Sequence, residues 1–131
     1  MDFQGALDPE TERVAKIIVD SVFKVHSILG PGLLESVYEH CLCLELESRG
    51  LRVRRQVVVP IVYLERAIEP GLRLDILVED RVVIETKSVE AMHSVFKAQM
   101  MTYLKLSKMR LGFLVNFNVE YIKEGIKRVI L

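Results

Sequence analysis

The sequence contains little cysteine, since Cys41 and Cys43 are its only two. They lie one residue apart in a segment with helical periodicity, so they cannot readily form a disulfide with each other. Without a further cysteine they also make a poor zinc site. This usage excludes the disulfide-rich secreted class and predicts a reducing, cytoplasmic environment.

Long hydrophobic runs are absent as well. Residues 57–64 form one of the longest, which is far shorter than the roughly 20 residues of a membrane-spanning helix and contains Pro60. No basic segment followed by an apolar core opens the chain. We therefore predict neither a secretory signal nor a membrane partner.

Neither sign of charge is in excess, because 18 Lys and Arg balance 18 Asp and Glu. This balance excludes a protein that coats nucleic acid by bulk attraction, since that mode neutralises many phosphates. It leaves room for a local basic strip beside an acidic pocket. The 131 residues, half of them hydrophobic, suffice for one core, so we predict a single domain over residues 1–131.

Hydrophobic periodicity predicts an α/β domain with two helices at its start. Asp8-Pro9 and Gly30-Pro31-Gly32 mark the ends of the first helix, and the second runs from about residue 33 to 49. The predicted inward side chains of the second helix are Leu34, Val37, Cys41 and Leu44.

After Gly50 the period changes to that of strands. The β-branched residues of 51–64 predict one or two strands, with Pro60 at an edge or a break. A hairpin at 72–88, a helix at 91–106 and strands at 110–117 and 125–131 follow. The predicted order is α-α-β-β-β-α-β-β.

The predicted hairpin carries charged side chains within two otherwise buried strands. Alternation places one set of residues on a single face: Leu72, Leu74, Ile76, Val78, Val82, Ile84 and Thr86. The other face carries Arg73, Asp75, Leu77, Val83, Glu85 and Lys87. If Val78 pairs with Val82 across a loop of residues 79–81, Asp75 lies directly opposite Glu85. Two such carboxylates destabilise a sheet unless something positive lies between them.

Two alternatives for this hairpin stay open. Asp75, Glu85 and Lys87 could form a salt-bridged, solvated face, because antiparallel sheets often have one charged face. A two-residue loop would instead split the carboxylates between faces unless a bulge restored them.

The pattern of Asp75 followed by Glu85-x-Lys87 suits metal-assisted phosphodiester cleavage. Mg²⁺ keeps several waters and binds through one or two carboxylates together with substrate phosphate. Such an ion polarises the phosphoryl group and lowers the pKa of a bound water. Lys87 shares a strand face with Glu85, where it can orient that water or neutralise charge that develops on the phosphate.

Four segments in order resemble the GxxExxY protein family. Gly32, Glu35 and Tyr38 match its signature in GLLESVYEH, and RLDILVEDRVVIETKS, AQMMTYLKL and GFLVNF follow. That family is similar to a compact branch of the PD-(D/E)XK nuclease superfamily, and the resemblance covers nearly the whole chain from the first helix onward. It implies a restriction-endonuclease-like core, a mixed central β-sheet flanked by helices.

The resemblance also implies roles for individual residues. Asp75 and Glu85 are the expected metal-binding acids, with the backbone carbonyl of Thr86 and the helical acid Glu35 as further ligands. Lys87 is the expected catalytic lysine.

On the helix after that strand, Gln99 and Tyr103 match the family's QxxxY motif. Their implied role is to support Lys87 and the scissile phosphate. Leu74 stands where the superfamily's name places a proline, at a position where that proline is often absent.

Structural explanations compete for some of these residues. Glu35 could be a first-turn charge favoured by the helix dipole. Tyr38 fits a packing residue with a satisfied hydroxyl. His26 fits a structural or surface role, and His93 is the better candidate for a phosphate contact.

Basic residues gather in three segments and are candidate phosphate contacts: Arg52, Arg54 and Arg55; Lys105, Lys108 and Arg110; Lys127 and Arg128. Together these features predict a Mg²⁺- or Mn²⁺-dependent deoxyribonuclease whose partner is DNA. The alternative is a catalytically inactive nuclease-fold module that binds nucleic acid or protein. A homo-oligomer, with the apolar segment VVVPIVYL as its candidate contact, would supply two sites and a broader basic surface.

Overall fold

The structure is a computed structural model that describes residues 6–131, so residues 1–5 of the predicted domain lie outside the described part. The described residues form three α-helices and a short 3₁₀ helix: α1 (Pro9–Leu29), α2 (Glu35–Ser48), α3 (Ser94–Ser107) and Ile122–Gly125. They also form five strands: β1 (Val53–Tyr63), β2 (Arg66–Val78), β3 (Val82–Lys87), β4 (Leu111–Asn116) and β5 (Ile126–Ile130). The predicted α/β class and element order are confirmed.

The strands form one mixed sheet in the order β1-β2-β3-β4-β5. Neighbouring strands are antiparallel except β3 and β4, which are parallel. A parallel pair needs a crossover connection, and α3 supplies it. Pro60 predicted an edge or a break, and both occur: β1 is an edge strand, where a residue without an N–H is tolerated, and its register with β2 shifts between Val59 and Ile61.

α1 begins and ends where the sequence predicts. Asp8 Oδ1 accepts a hydrogen bond of 2.8 Å from the Thr11 N–H, and Pro9 is the first helical residue. Gly30, with a φ of 69°, ends the helix. Among the described residues, no helix, α1 included, is long and apolar enough to cross a membrane.

The helices cover the two faces of the sheet unequally. α1 and α2 lie on one face, the α1/α2 face, and bury a large apolar cluster that includes Ile76, Val78, Val82, Ile84, Phe113 and Val115. α3 lies on the other face, the α3 face, over a smaller cluster: Leu72, Leu74, Leu77, Val83, Met100, Leu104, Leu114 and Val129.

The predicted inward face of α2 is wrong. Leu34 is the N-cap residue and is 73% exposed, Leu44 is 55% exposed, Val37 is also exposed and Cys41 is only half-buried. The buried side chains are Tyr38, Glu39, Leu42, Cys43 and Leu46. Leucines occur on both sides of this helix, so its hydrophobic periodicity does not indicate which side is buried. The choice comes from distant contacts such as the stacking of Tyr38 on Phe117, with ring centroids 4.5 Å apart.

The predicted pairing of the hairpin is confirmed, since Val78 pairs with Val82 across residues 79–81. The predicted face is wrong for Leu72 and Leu74, which belong to the cluster under α3, whereas Ile76 and Val78 belong to the other cluster.

The change of face occurs at Asp75. The β1–β2 pairing passes from Arg55–Ile76 to Val57–Leu74 and skips Gln56 and Asp75, and Gln56 has a φ of 52°. A residue in the left-handed region interrupts the regular pleat, so the side chains before and after Asp75 enter different layers. Irregularities of this kind re-aim side chains and are common near active sites.

The two cysteines are free thiols. Cys43 is buried in the core, and burial raises the pKa of its thiol to about 12. A thiol with so high a pKa is an unreactive packing group. The cytoplasmic location stays a prediction.

Candidate active site

Asp75 and Glu85 lie side by side where β2 and β3 cease to pair through their backbones. The Asp75 N–H donates a hydrogen bond of 2.9 Å to Glu85 Oε2. In turn, Asp75 Oδ2 accepts hydrogen bonds from the backbone N–H of Thr86 at 3.0 Å and from its hydroxyl at 3.4 Å. Each carboxylate is therefore held through one oxygen, and no described hydrogen bond reaches Asp75 Oδ1 or Glu85 Oε1.

Both carboxyl groups are in surroundings that disfavour their charge. Glu85 is only 5% exposed. Burial, and secondly the charge of Asp75, raises the pKa of Glu85 to about 8. Burial also raises the pKa of Asp75, the hydrogen bond from Thr86 opposes that shift, and the charge of Glu39 adds to it. Neither carboxylate forms an ion pair with a described residue, which excludes the salt-bridged alternative for this hairpin.

Lys87 lies two residues after Glu85, at the end of β3. Its ammonium Nζ lies over the ring of Phe96 on α3, 4.5 Å from the ring centroid. Its charge lowers the pKa of both Asp75 and Glu85, although burial outweighs this effect. The lysine is thus held beside the acid pair by an aromatic face without a direct ion pair.

Gln99 and Tyr103 lie on α3, one helical turn apart, and both are half-buried. Burial raises the pKa of the Tyr103 hydroxyl, and the negative charges of Glu85 and Asp75 raise it further. Tyr103 is therefore close enough to the acid pair to feel its charge. No described hydrogen bond joins Gln99 to Lys87.

Glu35 and Glu39 differ sharply in their surroundings. Glu35 is exposed at the first position of α2, and no described hydrogen bond or ion pair connects it with Asp75 or Glu85. Glu39 is 6% exposed, and its charge raises the pKa of both of those acids. Sequence analysis missed Glu39. The available signal was its position one turn after Glu35, which places both residues on neighbouring parts of one helix surface.

The Glu39 carboxylate already has partners from β1. Arg55 donates to Oε2 from Nε, at 3.0 Å, and also forms an ion pair with it through Nη2. The Gln56 side-chain amide lies 3.0 Å from Oε1 and 3.1 Å from Oε2. Gln56 therefore connects the irregular point of β1 to the acidic region.

Tyr38 has the structural role that was weighed for it. Its hydroxyl donates to the Gly30 carbonyl at 2.6 Å and accepts from the Leu33 N–H at 3.1 Å. The side chain is fully buried and joins the end of α1 to the start of α2. His26 also has a structural role, because its Nε2 lies 2.8 Å from the Val119 carbonyl oxygen.

Several of the predicted phosphate contacts are engaged in ion pairs. Arg54 pairs with Asp80 at 2.6 Å, Arg52 lies 3.5 Å from Glu79, and Arg128 lies 3.0 Å from Glu12. These arginines stabilise contacts between elements. Lys105, Lys108 and Lys127 have no such pair within the described part of the chain.

The donor set of the pocket fits a hard divalent cation. Asp75 and Glu85 each present one carboxylate oxygen without a described hydrogen bond, and two crowded negative charges favour a cation between them. Residues 6–131 contain no group of three or more acidic, histidine or cysteine side chains arranged as a complete metal cage. Two carboxylates suffice for Mg²⁺ or Mn²⁺ that is completed by water and substrate phosphate.

The fold and this pocket define a protein with a mixed sheet that presents two acids and a lysine from adjacent strands, the arrangement of a nuclease core. The chain belongs to the PD-(D/E)XK nuclease superfamily, whose family model matches residues 12–129. Searches of the curated proteins and of the solved structures found no match. The narrower GxxExxY resemblance stays a prediction.

Proposed function

We propose that the protein is a metal-dependent nuclease that hydrolyses phosphodiester bonds in DNA. The observation that carries this proposal is the pair of half-buried Asp75 and buried Glu85, which lacks a described ion pair and has Lys87 beside it. A charged pair in such surroundings costs folding free energy, so its presence is best explained by function.

In this proposal Asp75 and Glu85 hold Mg²⁺ or Mn²⁺, and the Thr86 carbonyl and Glu35 are further candidate ligands. When bound, the ion supplies Lewis acidity at the scissile phosphate. Thr86 fixes the Asp75 carboxylate through two hydrogen bonds, so its orientation is set before substrate arrives.

Lys87, Gln99 and Tyr103 are the proposed catalytic residues. The Lys87 ammonium orients the attacking water and neutralises negative charge that develops on the phosphate. Gln99 and Tyr103 contribute hydrogen-bond donors for the phosphate from α3.

The direct test is cleavage of labelled single-stranded, duplex and branched DNA in Mg²⁺ or Mn²⁺. We expect EDTA to abolish cleavage and Lys87→Ala to lower the rate by about 10²–10³-fold, as for loss of one transition-state donor. Lys16→Ala is the matched control, because Lys16 is an exposed lysine on α1, on the opposite face of the sheet. Cleavage that persists in EDTA or in Lys87→Ala would contradict the proposal.

A non-catalytic module that binds nucleic acid or protein is the second candidate. It is favoured by the engagement of Glu39 with Arg55 and Gln56, which leaves only two acids of the pocket open. Calorimetry with Mn²⁺ separates the candidates. The nuclease requires binding that is lost in Asp75→Asn and Glu85→Gln, and the module does not.

A homo-oligomer also remains part of the proposal. The distal part of the β1–β2 hairpin exposes a set of apolar residues: Val58, Val62, Tyr63, Leu64 and Ile68. Exposed apolar patches often mark interfaces. If a second copy pairs here, Val62→Lys should shift the sedimentation coefficient towards that of the single chain.

A further inference from the structure

A second cleft opens at the start of α3, on the β4–β5 side of that helix. It has a volume of about 430 Å³ and is lined by Met92, His93, Ser94, Lys97, Leu114, Lys127, Arg128 and Val129. We call it the lysine cleft. None of the sequence-based site residues lines it except His93, Lys127 and Arg128, which were candidate phosphate contacts.

The lysine cleft lies on the same face of the sheet as the candidate active site. Glu85 pairs with Leu114, and Leu114 pairs with Lys127. Side chains of paired residues share a face, and Leu114 and Val129 both belong to the cluster under α3. Two strand spacings, or about 10 Å, therefore separate the backbones of Glu85 and Lys127.

The charge of this cleft is unusual for the molecule. Its lining contains no Asp or Glu, whereas a comparable cleft beside α1 contains Glu120 and Glu124. Within residues 6–131, Lys97 and Lys127 form no ion pair. In a chain with equal numbers of acids and bases, two lysines without acidic partners in one concavity favour an anionic ligand.

The start of α3 adds to this positive potential. His93 is the N-cap residue and makes no side-chain cap hydrogen bond, and the first turn contains no acidic residue. The first N–H groups of a helix carry partial positive charge. These N–H groups add to the positive potential of the cleft, most of which comes from the two lysines.

We propose that the lysine cleft binds a backbone phosphate of the same nucleic acid strand whose scissile phosphate lies at Lys87. This proposal depends on the proposed function. Each strand of a duplex carries one phosphate per roughly 3.4 Å of axis, so a strand that spans about 10 Å places a phosphate a few nucleotides from the scissile one within reach. Contacts of this kind position a substrate without reading its sequence.

The test is binding of a short labelled single-stranded DNA in EDTA, measured by fluorescence anisotropy at several salt concentrations. We expect Lys97→Gln/Lys127→Gln to weaken binding by roughly tenfold and to reduce the slope of log K against log salt by about 1. The control is Lys16→Gln/Lys24→Gln, which removes the same charge from exposed positions on α1, on the opposite face of the sheet.

Equal affinity and equal salt slope in the two double variants would contradict the proposal that the lysine cleft binds phosphate. A wild-type protein that binds no DNA in EDTA would contradict it as well. Cleavage in Mg²⁺ separates this inference from the proposed function. If the lysine variant has a raised KM with kcat unchanged, both are supported. If the wild type binds DNA through the lysines but never cleaves it, the nuclease fails and the cleft stands.

Discussion

The same strands present an apolar surface on one face of the sheet and charged side chains on the other. On the α1/α2 face, strand residues such as Ile76, Ile84 and Phe113 are almost wholly buried in a continuous apolar cluster under two helices. On the α3 face a single helix packs on the sheet, and charged side chains lie beside it: Asp75, Glu85, Lys87 and Lys127.

This difference separates stability from chemistry within one sheet. Burial of apolar area on the α1/α2 face supplies folding free energy. Burial of Glu85 beside Asp75 on the other side consumes some of it, since a desolvated charge pair without a cation is unfavourable. The comparison therefore predicts that loss of an apolar side chain from the α1/α2 face lowers stability, whereas loss of the Glu85 charge from the α3 face raises it.

The largest effect is expected from Phe113→Ala on the α1/α2 face. Phe113 is fully buried, so its loss leaves a cavity and should lower the free energy of unfolding by about 3–5 kcal/mol. Urea denaturation measures this change. Phe96→Ala makes the same substitution at a half-buried position on α3 and should cost less than half as much. Equal losses would contradict the separation of roles.

A smaller effect of opposite sign is expected on the α3 face for Glu85→Gln. In EDTA, the raised pKa of Glu85, about 8 in the folded state against 4.5 as the ordinary value, means that the folded state binds more protons between these limits. Stability of the wild type should therefore fall as pH rises from about 5 to 8, by a few kcal/mol.

Glu85→Gln should remove most of that decline and be more stable than the wild type at pH 8, because a neutral amide carries no charge to desolvate. Urea denaturation across this pH range compares the two proteins. Saturating Mn²⁺ should reverse the trend for the wild type, since only the deprotonated carboxylates bind metal. Parallel pH profiles for the two proteins in EDTA would show that Glu85 is not the source of the decline.

Much of the α3-face site was predictable because its spacing is local. The alternation on either side of residues 79–81 allows the pairing of Val78 with Val82, one of the two registers left open by the sequence, and that pairing brings Asp75 and Glu85 together. A hairpin register follows from the chain between the two strands, so no distant residue is needed to infer it.

The errors arose where distant residues decide the outcome. The change of face at Asp75 depends on the positive φ of Gln56 in another strand, and nothing within residues 72–88 signals it. The burial of Glu39 depends likewise on Arg55 and on Gln56. Helical periodicity predicts which side of a helix is apolar. It does not predict which polar residue of the helix will bind a side chain from another element.

The smallest effect tests how the α3 face holds its lysine. Phe96→Leu keeps a large apolar side chain but removes the ring beneath the Lys87 ammonium. A cation–π contact contributes about 0.5–2 kcal/mol, so the cleavage rate should fall by roughly 2- to 30-fold while stability changes little. Phe96→Tyr keeps an aromatic face and should retain most of the rate. If Phe96→Tyr loses as much as Phe96→Leu, the shape of the side chain matters rather than its ring, and Lys87 is positioned by packing alone.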